Sequence, residues 1–484
     1  MSGPGRRVGD ALQSPVRRGK RIMVVIAVLV LVAGLGIGVL FGAPALALLH
    51  ASGLVAVPTA PPPAPVTPQA ALRPVTAQGP APTAAGVGAL LGPLVAQGGL
   101  GTLSGRVVDP ATGTVLWQHD AATALVPGST AKLLTASAAL LVLDHQTTFR
   151  TTVVAGAEPG TVVLVGGGDP TLSAEPVGVP TVYPGAARLD DLVSQVRAVE
   201  PGPIRRVLVD VGRYSGDAFA PSWVPGDVAA GFIAPIEPVM LDGGRADPTQ
   251  EVSPRSPKPA TAAAVELARR LGADPSTVAV GSAPPGAKVL GQVSSPPVTD
   301  LIANALSISD NVLAEVLARE VARATGAEPS FAGASHAVLQ VLRDHGFDVG
   351  QATLVDGSGL SDHDAVPATL LSDLLAAAAA PDEAQQPAGA RQRTVALRPL
   401  LVGLPVAGGS GTLADRYGGS ATLGRGWVRA KTGTLTAVNS LAGTVLDGDG
   451  RVLVFALLSN GPNPNAVRPR LDTLAAALRS CGCR

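Results

Sequence analysis

The stretch PGSTAKLLTASAALLVL, residues 127–143, sets a lysine three residues after a serine and then runs into almost pure apolar helix. The chain is sparing with lysine: five of its 36 basic residues are lysine and the rest are arginine. A charge that turns inward to a core is costly unless it is paired or neutralised, so Lys132 needs a reason. On a helix, residues three apart share a face, which puts Lys132 beside Ser129. A serine hydroxyl is a poor nucleophile until a base takes its proton. Lysine is such a base only when desolvation or a nearby positive charge favours its neutral form. The apolar run that follows supplies the desolvation. Taken alone, the same pattern also describes a serine that caps a helix and a lysine that snorkels to solvent.

Two other short motifs have the same double reading. Ser309-Asp310-Asn311 lies between helical segments. Its hydroxyl and amide, two residues apart, can face one site from a loop, but all three residue types also favour helix N-caps. Lys431-Thr432-Gly433-Thr434 falls in an expected strand. Alternate residues of a strand share a face, so Lys431 and Gly433 point one way, and the glycine leaves room for a close approach. An exposed edge strand guarded by lysine has the same appearance. In favour of a joint reading, two of the five lysines occupy two of these three motifs.

Composition excludes several classes. The net charge is +0, which gives no electrostatic footprint for nucleic acid. The six histidines show no ligand spacing, so no metal is expected. The only cysteines, Cys481 and Cys483, are one residue apart, too close for zinc spacing and for an unstrained disulfide. Hydrophobic residues make up 46% of the 484 positions, enough for a large core.

The N-terminus reads as an address. Residues 1–21 carry six basic side chains, and Ile22–Leu49 is an uncharged run of 28 residues. A bilayer needs about 20, and the basic flank stays in the cytoplasm. The expectation is a transmembrane anchor that leaves the rest of the chain outside the cell. Ala45-Leu46-Ala47 keeps a cleaved signal peptide open, and both readings export the protein. Residues 50–97 read as a linker, with nine prolines between Pro58 and Pro82. In polyproline II, about 30 such residues reach on the order of 90 Å.

The folded part starts near residue 98. LSGRVVDPATGTVLWQHD (103–120) alternates around Asp109–Gly113 and predicts a β-hairpin. Helices are expected at 129–143, 261–271, three times within 299–347, and at 367–380. Three strands follow, within 427–435, 438–446 and 451–459, and then a helix at 465–479. The chain therefore begins and ends its folded part with β and holds helices between, an α+β class in which the terminal strands join one sheet. Residues 156–290 differ in texture and are expected to form an inserted domain, leaving 98–155 and 291–484 as the main domain.

In this order, SxxK, SDN and KTG resemble the penicillin-binding protein and serine β-lactamase superfamily. LVGGGDPTL (164–172), DGSGLS (356–361) and LPVAGGSGTL (404–413) are similar to stretches of the class C low-molecular-mass type, D-alanyl-D-alanine carboxypeptidase/endopeptidases. The gap of 180 residues from Ser129 to Ser309 fits an insertion after the first motif. It is short for members with two inserted domains, which points to one. DGSGLS continues DHDAVP without the expected basic residue, which puts a substrate-binding role of that loop in doubt.

The resemblance implies a β-lactamase/transpeptidase-like domain, an antiparallel sheet flanked by helices. It implies a penicillin-sensitive serine carboxypeptidase that removes the terminal D-alanine of peptidoglycan peptides, without metal or cofactor. Ser129 is then the acylated nucleophile, Lys132 its base, and Ser309 the relay to the leaving amine. Asn311 holds the substrate amide, and Lys431 favours neutral Lys132 by its charge. Thr432 and Thr434 grip the substrate carboxylate beside Gly433. The N–H groups of Ser129 and Thr434 form the oxyanion hole. A β-lactamase and a non-catalytic wall-binding scaffold are the alternatives. Among weaker stretches, GGGDP (166–170) reads as a turn, Asp242 and Arg245 as a surface loop, and Tyr214 and Trp223 as packing residues.

Overall fold

Five strands form an antiparallel sheet in the order Val428–Leu435, Val438–Leu446, Val452–Asn460, Thr102–Asp109, Thr114–His119. This computed structural model describes residues 79–381, 388–461 and 463–482. The first long strand pairs with the last, Val107 opposite Phe455, which joins the ends of the folded part as the sequence predicts. In the central strand Val454, Ala456 and Leu458 join one apolar cluster, and Leu453, Phe455 and Leu457 join another. Burial on both faces is why VLVFALL shows no polar alternation. Helices Lys132–Val142, Val298–Ser307, Asn311–Ala324, Phe331–Asp344 and Ala368–Ala379 contribute to the first cluster. Ala84–Ala96 and Pro464–Arg479 contribute to the second.

A second sheet has the order Ala279–Val280, Arg206–Asp210, Thr161–Val165, Arg150–Ala155, Val289–Ser294. Its first three strands are parallel, and parallel neighbours need crossovers. Helices Leu189–Val199 and Pro259–Leu271 lie in those two connections. The sheet has its own core, including Val153, Leu164, Leu192, Val207 and Leu267. Thr151 pairs with Val293, so this sheet extends beyond residues 156–290 at both ends. TTVV and GQVS are short β patterns that fit either sheet, and only their pairing with each other assigns them.

The linker reading of 50–97 fails at its C-terminal end. Ala84–Ala96 is a helix, with Gly86 N–H donating to the Thr83 cap. Val87 and Leu91, one turn apart, are buried in the second cluster, and their spacing is the signal that the overall Pro/Ala composition hid. The expected anchor at 22–49 and the prolines before residue 79 lie outside the described residues. Among the described residues, no helix is long and apolar enough to cross a membrane. Cys481 is buried; Cys483 lies outside the described residues.

Candidate active site

Ser129 sits in the 3-10 turn Gly128–Ala131, which runs straight into the helix Lys132–Val142. Gly128 has a positive φ of 52°, and a Cβ on it would lie 3.2 Å from Thr434 N. Gly433 answers from the edge strand: its Cβ would lie 2.2 Å from Ser440 Oγ, 2.5 Å from Pro127 O and 3.0 Å from Ser129 N. Two missing side chains therefore let turn and strand meet backbone to backbone. The nitrogens of Ser129 and Thr434 are among the atoms at that contact.

Lys132 is 1% exposed and does not snorkel. Its Nζ donates to Ser129 Oγ at 2.9 Å, Asn311 Oδ1 at 2.5 Å and Ser358 O at 2.8 Å. Burial lowers its pKa to about 8, opposed by Asp356, Glu315, Asp310 and Asp364. Lys431 is buried although its strand is at the sheet edge, so it is no solvent-facing guard. Its Nζ donates to Ser309 Oγ at 2.8 Å and to Thr432 O at 2.8 Å. Burial, then Lys132, then Arg416 hold its pKa well below the ordinary lysine value. Burial is thus the first cause for both lysines, and the charge of Lys132 adds to it at Lys431.

Ser309 has a φ of 60°, uncommon for a residue with a side chain. The neighbouring Asp310 fixes it. Asp310 caps the helix Asn311–Ala324 by accepting from Leu313 N at 2.9 Å, so the capping reading of SDN is correct for this residue. It also accepts from Tyr183 Oη at 2.9 Å and Arg245 Nη2 at 2.6 Å, with Arg255 at 3.6 Å. Burial pushes the Asp310 carboxyl up, but Arg245 and Arg255 outweigh it and hold the group below the usual carboxylate range. Asp242 and Arg245 are not a surface loop. They are 3% and 8% exposed, because the Arg245 guanidinium is engaged by Asp310, Tyr183 and the Asp242 carbonyl.

A cleft of about 800 Å³ opens over these groups, lined by Ser129, Ser309, Asn311 and Thr434. The segment between 222 and 252 adds Val224, Asp227, Phe232 and Val252, a wall without a local sequence signal. Asn311 Oδ1 receives Lys132, and its Nδ2 donates to Phe232 O at 2.9 Å. Thr432 is buried, its Oγ1 2.9 Å from Thr412 Oγ1 of the LPVAGGSGTL stretch, and only Thr434 of the two threonines lines the cleft. The structure therefore brings together Ser129, Lys132, Ser309, Asn311, Lys431, Gly433 and Thr434, and leaves Thr432 behind them.

DGSGLS enters the site through its backbone. The Ser358 carbonyl receives Lys132, and Asp356 beneath it accepts from the N–H groups of Ser358, Gly359 and Ser361. Trp223 donates to the same carboxylate at 2.8 Å, which makes it a buried packing residue with a polar anchor. Tyr214 likewise packs, its hydroxyl on Glu320 at 2.8 Å. Glu315, 1% exposed, escaped notice altogether. Its one visible signal is a carboxylate one turn beyond Asn311 within an apolar helix.

The pattern of the D-Ala-D-Ala carboxypeptidase 3 (S13) family matches residues 89–254 and 245–480, and the chain belongs to that family. A carboxypeptidase of Mycobacterium tuberculosis is 48% identical over 438 residues, 90% of this chain and 92% of that protein. Carboxypeptidase DacB of Mycolicibacterium smegmatis is 46% identical over 471 residues, 96% of this chain and 98% of that protein. The crystal structure of penicillin binding protein 4 from Haemophilus influenzae superposes with a TM-score of 0.62 at 21% identity, over 80% of this chain and 97% of that one, which shows the shared fold. The chain is accordingly a serine-type D-Ala-D-Ala carboxypeptidase.

Proposed function

We propose that Ser129 is the residue acylated when this carboxypeptidase removes the terminal D-alanine of peptidoglycan stem peptides. The observation that carries the assignment is the 2.9 Å contact from buried Lys132 to Ser129 Oγ, with Lys431 and Ser309 paired at 2.8 Å in the same site. Neutral Lys132 takes the hydroxyl proton as Oγ attacks the carbonyl carbon of the penultimate D-alanine. Backbone N–H groups of Ser129 and Thr434 receive the developing oxyanion. Ser309 passes its proton to the amine of the terminal D-alanine as the C–N bond breaks and takes up the proton held by Lys132, which returns the lysine to its neutral form. Water then cleaves the Ser129 ester, and Lys132 activates it in the same way. Asn311 positions the substrate amide, Lys431 keeps Ser309 oriented, and Thr434 meets the terminal carboxylate, with Thr432 supporting from behind.

The same site acylates with β-lactams, since a β-lactam complex exists for the Haemophilus influenzae protein. The enzyme works outside the cytoplasm, held by an anchor at 22–49, and the second sheet is an insertion in the catalytic domain. Incubation with a fluorescent penicillin tests the assignment. Stable label on the wild type that Ser129→Ala loses is the expected result. Rapid turnover of the drug would make the protein a β-lactamase, and no label on folded wild type would leave a scaffold.

A further inference from the structure

A buried acid cluster lies under the nucleophile and has no step in the reaction just described. Glu315 stands one turn after Asn311 on the helix Asn311–Ala324. Both carboxylate oxygens accept from Gly357 N, each at 3.0 Å. The Gly357 carbonyl accepts from Thr135 Oγ1 at 2.6 Å, and the next carbonyl, Ser358 O, accepts from Lys132 at 2.8 Å. Thr135 and Lys132 are themselves three apart on the nucleophile helix. One tripeptide is thus gripped by Glu315 on one side and by the nucleophile helix on the other. A Cβ on Gly357 would lie 2.6 Å from Ala318 Cβ and 3.3 Å from Glu315 Oε2, so the loop sits tight on Glu315.

Glu315 has no ion-pair partner among the described residues. Arg319, one turn on, spends its guanidinium on the carbonyls of Ser215, Asp217 and Pro329. The groups that face Lys132 are Asp310, Asn311 and Glu315 from the capped helix, Asp356 and Asp364 from the DGSGLS loop, and Ser129 on its own turn. Lys431 faces it from the strand. We propose that Glu315 is a positioning residue for the carboxypeptidase reaction: it fixes the loop whose carbonyl orients Lys132 and sets a carboxyl near the lysine, one turn beyond Asn311. Burial and then Asp356 raise the Glu315 pKa to about 8, the same range to which Lys132 is lowered. The cation that forms as Lys132 takes the serine's proton lies within the electrostatic reach of the Glu315 carboxyl. Burial and then Asp356 raise the pKa of Asp364 as well.

The inference rests on Lys132 acting as the base, and its test separates the two. Acylation by a fluorescent penicillin is followed against pH for the full-length wild type and for Glu315→Gln, which keeps an oxygen for Gly357 N–H. The expected result is a rate midpoint moved to lower pH by at least half a unit, about a threefold change in proton affinity, because a charge that favours protonated Lys132 is gone. A rate lowered equally at every pH, with an unmoved midpoint, overturns the proposal and leaves Glu315 a structural anchor. If Glu315→Gln does not fold, Glu315→Met also removes the charge at similar volume, and the same downward shift is required of it. Failure of the wild type itself to label would instead refute the acyl-enzyme assignment.

Discussion

Arg245→Met tests whether the second motif is held from the far side of the chain. The substitution keeps much of the side-chain volume and removes the guanidinium that lies 2.6 Å from Asp310. Asp310 and Arg245 have side chains 0% and 1% exposed, so water cannot replace the lost partner. Removing one member of a buried pair costs about 3–5 kcal/mol, because the other charge is left stranded. Arg255 remains at 3.6 Å, and Tyr183 Oη and Leu313 N still donate. The expected loss is therefore at the lower end, about 3 kcal/mol. Adding Asp310→Asn removes the stranded charge and is expected to restore about 2 kcal/mol, within the usual range of coupling between contacting residues. Urea denaturation of the four proteins in the cycle measures this. The acylation rate by penicillin should fall at least about tenfold in Arg245→Met, equivalent to roughly 1.4 kcal/mol in the transition state, since Ser309 and Asn311 flank the loosened residue. A stability loss below about 1 kcal/mol, or a double variant weaker than the single one, would show that the pair behaves like a surface salt bridge and would refute the reasoning.

Three further outcomes follow from the same geometry. Lys132 is lowered to about 8 and only its neutral form accepts a proton, so the wild-type acylation rate should rise about tenfold per pH unit below that value and level off above it. A flat profile between about pH 6 and 9 contradicts a lysine base. Gly433→Ala places a methyl 2.5 Å from Pro127 O and 3.0 Å from Ser129 N; overpacking of this kind costs about 1–3 kcal/mol, and acylation should be lost while far-ultraviolet circular dichroism stays native. Leu91→Ala opens a cavity under a residue 1% exposed, and a loss of about 2–4 kcal/mol in denaturation checks that Ala84–Ala96 is part of the fold; a loss near zero would return it to the linker.

The legible parts of the chain were those in which one local pattern decides the outcome. The hairpin at 103–120 announced its turn, and 451–459 announced a strand. Ser129 and Lys132 were legible because helix geometry alone makes them neighbours. The pairing of Lys431 with Ser309 could be expected only through the resemblance, since 122 residues separate them. Arg245 misled because Asp242-Gly243-Gly244 has the composition of an exposed turn, and nothing local shows that its charge meets Asp310, 65 residues on. Glu315 was invisible for a similar reason. On a helix with Glu320, Arg319 and Arg323 nearby, one more carboxylate reads as part of a solvated stripe, although its partner is a backbone N–H from another loop.

These long-range contacts change what the segment between the first two motifs does for the site. A side chain at a φ of 60° sits in a sparsely populated conformation that persists only where the surroundings over-determine it, at about 1–3 kcal/mol. At Ser309 the surroundings are Lys431 on its hydroxyl and, on the next residue, Asp310 held by Tyr183, Arg245 and Arg255. One residue further, the Asn311 amide is tied to the Phe232 carbonyl. Tyr183, Phe232, Arg245 and Arg255 all come from that intervening segment, while Ser129, Lys132 and Lys431 come from the helix and sheet it interrupts. Ser129 and both lysines are thus set by the main sheet and its helices, whereas Ser309, which under the proposed mechanism hands a proton to the leaving group, is set jointly. Changes in the 183–255 loops should then alter release of the leaving group before they alter reactivity of Ser129. Substrates with a poor leaving group, such as a peptide amine, should be affected more than a strained β-lactam.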